Sequence, residues 1–170
     1  RERATTEPGR VEVVRLSSLA EIRHIGEEWD ALVEADPHAR LYQSRQVFFA
    51  WQEAAESPDE PWFLLARVDG EPVGLAPMVR RSMAKRGLRY RVLTFGQPRG
   101  DFVIARRRED VVAAFAEYLR QRTRDWDVLA FDDVPTAPGT IAALAQEFGP
   151  RAGYRWGNTE PAPSETCLDA

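Results

Sequence analysis

The sequence predicts an α/β (α+β) domain, a mixed and mostly antiparallel sheet with helices on both faces. Three observations lead there. The 170 residues suit one domain, and a chain of this length buries about 70% of the surface it exposes when unfolded. The first half reads as a strand, two helices and a run of hairpin-linked strands. The second half alternates helix and strand. A doubly wound parallel sheet would alternate from its beginning.

Residues 1–10 are polar, contain Pro8-Gly9 and read as a flexible leader. Residues 11–158 read as the domain. Residues 159–170, with Pro161 and Pro163, read as a linker or a truncated last strand. The first strand is Val11–Leu16. Ser18 and Glu21 form a capping-box pattern. Leu19, Ile22, Ile25, Trp29, Leu32 and Val33 then recur at helical spacing. They predict one helix that stops at Asp36-Pro37, because the residue before a proline avoids helical backbone. A second helix starts after Ser44, its N-cap. Its apolar face is Val47, Phe48, Trp51, Ala54 and Ala55, with Trp51 in the core, and Ser57-Pro58 closes it.

Residues 62–68 and 72–80 read as strands about an Asp69-Gly70 hairpin turn. Pro77 lacks an amide proton, so it implies an edge or a bulge. Strands at 88–95 and, more briefly, at 101–105 follow. A helix over 109–122 turns Val111, Val112, Phe115, Tyr118 and Leu119 inward. Residues 126–131 predict a buried strand, 140–148 a short helix, and Tyr154-Arg155-Trp156 a last strand.

Composition removes several functions. One cysteine, Cys167, and two histidines leave no internal disulfide and no metal-ligand cluster. No apolar run approaches the roughly 20 residues of a membrane helix, and no secretory signal is visible. The formal charge of −4 argues against nucleic acid as a partner. These features suit a cytoplasmic protein.

Several pieces, taken in order and spacing, carry a family resemblance. They are Leu41-Tyr42-Gln43-Ser44 with Trp51 in the helix that follows, the hairpin Asp69-Gly70-Glu71-Pro72-Val73-Gly74-Leu75-Ala76-Pro77-Met78, and Trp126-Asp127-Val128-Leu129-Ala130-Phe131. The chain resembles the BioF2-like, or CelD-like, acetyltransferases of the GNAT superfamily from about Val11 to Leu168. The resemblance implies a GNAT-like domain. It also implies a protein about twice this length, built like the FemABX proteins from two such domains in tandem, of which this chain matches the first. Acyl-CoA (acetyl-CoA) would be the co-substrate of the full-length protein, with none held tightly by this chain. The family is associated with exopolysaccharide, cellulose and envelope biosynthesis. A second GNAT-like domain and a small-molecule or saccharide acceptor would be the partners, close to a membrane surface.

Against that pattern, one segment departs. A typical GNAT loop, Gln/Arg-x-x-Gly-x-Gly/Ala, lets backbone amides approach a pyrophosphate at a helix N-terminus. Here Ala105-Arg106-Arg107-Arg108-Glu109-Asp110-Val111 puts Glu109 and Val111 where small residues belong. Arg106, Arg107 and Arg108 offer a phosphate clamp, or simply a solvated loop.

The loop Gly96-Gln97-Pro98-Arg99-Gly100-Asp101 is the most site-like stretch. Gln97, Arg99 and Gly100 are the substrate-binding candidates. Asp101 is the candidate base for an amine that must lose a proton, or else a turn cap. Asp132, with Asp133 at a strand end, is a second carboxylate candidate or a turn start. Arg80, Arg81, Arg86, Arg89 and Arg91 form a basic strip for an anionic partner, or the solvent face of a strand. The residues leave two readings of function: half of an acyltransferase, and a non-catalytic module that binds an anionic polymer or a partner protein.

Overall fold

The computed structural model describes residues 9–55, 59–131, 134 and 139–148. Its elements are β1 (Val11–Leu16), α1 (Leu19–His24), α2 (Gly26–Ala35), a 3-10 turn (Leu41–Gln43), α3 (Arg45–Ala54), β2 (Glu60–Pro61), β3 (Phe63–Val68), β4 (Glu71–Ala76), β5 (Met78–Lys85), β6 (Leu88–Phe95), β7 (Val103–Ile104), α4 (Arg108–Gln121), β8 (Val128–Leu129) and α5 (Thr140–Glu147). Strands order as β1-β3-β4-β7 and β2-β5-β6-β8. Every pairing is antiparallel except β6 with β8. Together the two sheets form a mixed and mostly antiparallel layer, as the sequence predicts.

Two cores flank it. Alternation along β3 sends Trp62, Leu64, Ala66 and Val68 to one face, where Val111, Val112, Phe115 and Leu119 of α4 and Leu144 of α5 pack. Phe63 and Leu65 face the other way, against Ile22 of α1, Trp29 and Leu32 of α2 and Phe48 of α3. A register shift between Ala66 and Arg67 adds a residue to β4. That bulge is why Val73 and Leu75, two apart, serve opposite cores.

The structure corrects five local expectations. The first helix is two, because Ile25 leaves helical geometry (φ −88°, ψ 16°). A Cβ on the adjoining Gly26 would lie 2.8 Å from Arg45 Nη1, so the break lets the α3 side chain cross closely. Trp51 is not core but 47% exposed, and the buried positions of α3 are Phe48 and Gln52. Pro77 divides the 72–80 strand into β4 and β5, which belong to different sheets. The 101–105 strand contracts to Val103–Ile104, because Asp101 and Phe102 belong to a loop. The 126–131 strand contracts to Val128–Leu129 with Val128 exposed. Its buried residue is Trp126, whose Nε1 donates to Leu119 O at 3.1 Å. The expected strand at 154–156 lies outside the described residues. No helix among the described residues is long and apolar enough to cross a membrane.

Candidate active site at the sheet break

Where Pro77 transfers the chain from one sheet to the other, its antiparallel partner breaks too. Gly96 N donates to Pro77 O at 2.9 Å. The chain then leaves β6, loops through residues 96–102, and returns as β7 to pair with β4 at Gly74–Ile104 and Leu75–Val103. The loop therefore carries the chain from β6 of one sheet to β7 of the other.

Three glutamines clamp it. Gln52 Nε2 donates to Gly96 O at 2.8 Å, Gln97 Nε2 to Tyr42 O at 3.1 Å, and Gln43 Nε2 to Arg99 O at 2.8 Å. All three are buried. A polar side chain is stable there because it answers backbone groups that would otherwise be orphaned. Gly96 and Gly100 are required by contact. A Cβ on Gly96 would overlap the Phe48 ring, and one on Gly100 would overlap Phe95. Arg99 adopts φ 52° and holds its guanidinium 5.6 Å from the centre of the exposed Tyr42 ring.

Asp101 is 4% exposed, and its Oδ1 accepts the Phe102 amide at 2.7 Å. Burial pushes its carboxyl from the ordinary 3.8 up to about 6, against the opposing pull of the Thr140 hydroxyl, the Phe102 amide and the Arg108 guanidinium. The nearby Asp36 adds a small upward push. The Thr140 hydroxyl faces this carboxyl but makes no hydrogen bond of regular geometry.

Asp36 sits next to this group and organises it. Its carboxylate accepts the Ile104 amide at 2.8 Å, the His38 amide at 2.9 Å and Arg108 Nη2 at 3.0 Å. One side chain thus ties the end of α2 to β7 and to the first turn of α4. Among the described residues, the buried atoms without a partner include Gln97 Oε1, Arg108 Nη1 and Thr140 Oγ1. Nothing in the sequence pattern marks Asp36, Gln43, Gln52 or Thr140 as neighbours of the loop. Asp36 reads as a helix stop and Thr140 as a helix start, and only the Asp-Pro pair hinted at a side chain that accepts local amides.

At the start of α4, Arg107 takes the left-handed conformation (φ 54°, ψ 44°). Its guanidinium donates to Asp110 at 2.8 Å and to Gly9 O at 2.6 Å. Arg108 is committed to Asp36, and Arg106 is exposed. Glu109 and Asp110 fill the first turn, while Val111 is fully buried in the core. Carboxylates suit the positive end of the helix but repel a diphosphate. This segment does not fit the pyrophosphate of coenzyme A.

On the basic strip, Arg80 pairs with Glu60, Arg81 with Asp59 at 2.8 Å, and Arg91 with Asp127 at 3.0 Å. The Arg91 guanidinium and amide together hold the Asp127 carboxyl down to about 2. Arg86 and Arg89 are exposed at the hairpin tip. Asp132 lies outside the described residues. No group of His, Cys, Asp and Glu that would hold a metal occurs among those described.

No protein-family model and no curated protein matches this sequence. Solved structures do match the fold. A ribosomal-protein-alanine N-acetyltransferase from Brucella melitensis biovar Abortus 2308 aligns over 89% of this chain and 96% of its own, with TM-score 0.52 and 17% identity. The aminoglycoside N-acetyltransferase AAC(6')-Iy, in complex with CoA, aligns over 95% and 98%, with TM-score 0.51 and 16% identity. The chain has the GNAT acetyltransferase fold. At these identities the likeness is one of fold. In this chain the 96–102 loop, with Asp101, joins β6 of one sheet to β7 of the other, and α4 starts at Arg108, just beyond β7.

Proposed function

We propose that this chain is the acceptor-side domain of an acyltransferase that moves an acyl group from acyl-CoA to an amine or hydroxyl. The observation that carries the reading is Asp101, a buried carboxyl on a clamped loop that joins the two sheets, with its pKa raised to about 6. A base of that strength is mostly ionised at neutral pH and still holds a proton well enough to take one from an acceptor. Gln43, Gln52 and Gln97 keep the loop in one geometry, so little reordering is needed when the acceptor arrives. In this reading Arg99, beside the Tyr42 ring at the exposed side, meets an acceptor's polar groups.

The start of α4 argues that the donor's diphosphate is gripped elsewhere. A second GNAT-like domain, as the BioF2-like resemblance implies, supplies that grip, and the acceptor is then a small molecule or saccharide of envelope or exopolysaccharide synthesis. The other reading, a degenerate and non-catalytic module, would bind an anionic polymer or a partner protein through the basic strip, where Arg80, Arg81 and Arg91 are already paired with Glu60, Asp59 and Asp127.

Calorimetric titration with acetyl-CoA tests the division of labour. We expect no binding to these 170 residues and binding to a longer polypeptide containing the second domain. In that longer protein, Asp101→Asn is expected to lower kcat by about 10²–10⁴-fold with KM nearly unchanged, and to remove the acid limb near pH 6. Tight binding of acetyl-CoA to the short chain overturns the split-site reading. An active Asp101→Asn protein with an unchanged pH profile overturns the role of the base.

A further inference from the structure

β5 and β6 continue beyond the sheet body as a hairpin. Residues 82–89 are exposed without interruption. The tip turn, Arg86-Gly87, has φ of 52° and 81°, the two left-handed residues of a tight hairpin turn that matches strand twist.

Charge along this hairpin is unevenly compensated. No acidic residue occurs between Pro72 and Gly100. At the base, Arg80, Arg81 and Arg91 are neutralised by Glu60, Asp59 and Asp127. At the tip, Lys85, Arg86 and Arg89 make no ion pair among the described residues. Positive charge is thereby concentrated at the outermost end of a chain whose formal charge is −4.

The tip also has two unlike faces. Met83 lies opposite Tyr90 and Lys85 opposite Leu88, whereas Ala84 lies opposite Arg89 and Ser82 opposite Arg91. Directly opposed residues share a face. One face therefore carries Met83, Leu88 and Tyr90 with Lys85 at its end, and the other carries Arg89 and Arg91. Leu88 is 73% exposed and Met83 45% exposed.

We propose that this hairpin tip is a docking element for an anionic lipid bilayer. Leu88 and Met83 enter the boundary between headgroups and acyl chains, while Lys85, Arg86 and Arg89 meet lipid phosphates. Lys85, on the apolar face, reaches back to the headgroups along its own stem. The apolar face selects a bilayer over other anions. A convex tip with two well-exposed apolar side chains offers far less than the roughly 800 Å² per partner of a stable protein interface, whereas a bilayer conforms around it. A soluble polyanion would use the charges and leave Leu88 and Met83 idle. The net negative remainder is repelled from the same surface, which orients the hairpin toward it.

Vesicle co-sedimentation of the full chain decides the matter, with phosphatidylcholine vesicles containing one quarter phosphatidylglycerol against phosphatidylcholine alone. The expected result is binding to the anionic vesicles only, weakened by salt. The K85E/R86E/R89E variant is expected to lose at least about tenfold in partition coefficient. The M83S/L88S variant, which keeps every charge, is expected to lose several-fold, and circular dichroism confirms that both remain folded. No binding of the folded parent to anionic vesicles overturns the proposal. So does M83S/L88S binding as well as the parent, which makes the tip a simple polyanion site. Neither result touches the acyl-transfer reading, which rests on Asp101.

Discussion

Because the folded chain keeps a proton on Asp101 up to about pH 6, whereas the ordinary value is 3.8, its protonation is linked to folding. Between pH 4 and 6 the native state holds a proton that the unfolded state has released. Raising pH through that window therefore favours unfolding, and the cost is complete above about pH 6. Burial is the leading cause, so replacing the carboxyl by an amide of the same shape should relieve the cost. Asp101→Asn is expected to be more stable than the parent by about 2 kcal/mol at pH 8, with the difference gone at pH 4. Urea midpoints at the two pH values measure it. An equal gain at both would mean that charge burial is not the source. The same substitution removes the proposed base, so this residue is expected to trade stability against activity. Asp36 is buried in the same region. Two backbone amides and the Arg108 guanidinium compensate it, and it therefore serves as a structural clasp.

The loop between β6 and β7 depends on glycines that allow close approach. At Gly96 a Cβ would overlap the Phe48 ring and lie 3.1 Å from Val79 Cγ1. Both neighbours are fully buried, so neither can yield without opening the core. Gly96→Ala is expected to destabilise by about 1–3 kcal/mol, whereas Gly26→Ala meets only the flexible end of Arg45 and should cost far less. Chemical denaturation of the two variants side by side checks the contrast. Elements set by local signals were legible in the sequence. Ser18 with Glu21, Ser44 as N-cap, and the Asp69-Gly70 turn all lie within a few residues of what they organise. What was illegible depends on distant partners. Trp51 looked like core because binary patterning counts it as apolar, yet Gln52 takes the inward place by reaching a carbonyl 44 residues away. The 96–101 loop could be singled out because two glycines, a proline, Arg99 and Asp101 fall within six consecutive residues. Its supports, Asp36, Gln43 and Gln52, arrive from other segments, and no spacing rule joins them to it.

At the level of the molecule, the two cores share one set of strands. Phe63 and Leu65 serve the side of α1–α3, and the intervening Leu64 and Ala66 serve the side of α4 and α5. Neither core can lose its sheet face without stripping the other. Pro77 does not separate them into independent halves, because Met78 joins the first core and Val79 the second just past the break. Aromatic contacts lock both sides: Trp29 packs on Phe63 with centroids 4.9 Å apart, and Phe102 on Phe115 at 5.1 Å. Unfolding is therefore expected to be a single cooperative transition. Trp29→Ala and Phe115→Ala, one in each core, should each lower stability by about 3–5 kcal/mol. Each should move the far-ultraviolet dichroism and tryptophan-fluorescence curves together. If Trp29→Ala instead shifted one probe and left the other at the parental midpoint, the α1–α3 layer would be melting alone, and the shared strands would not be what couples the two faces.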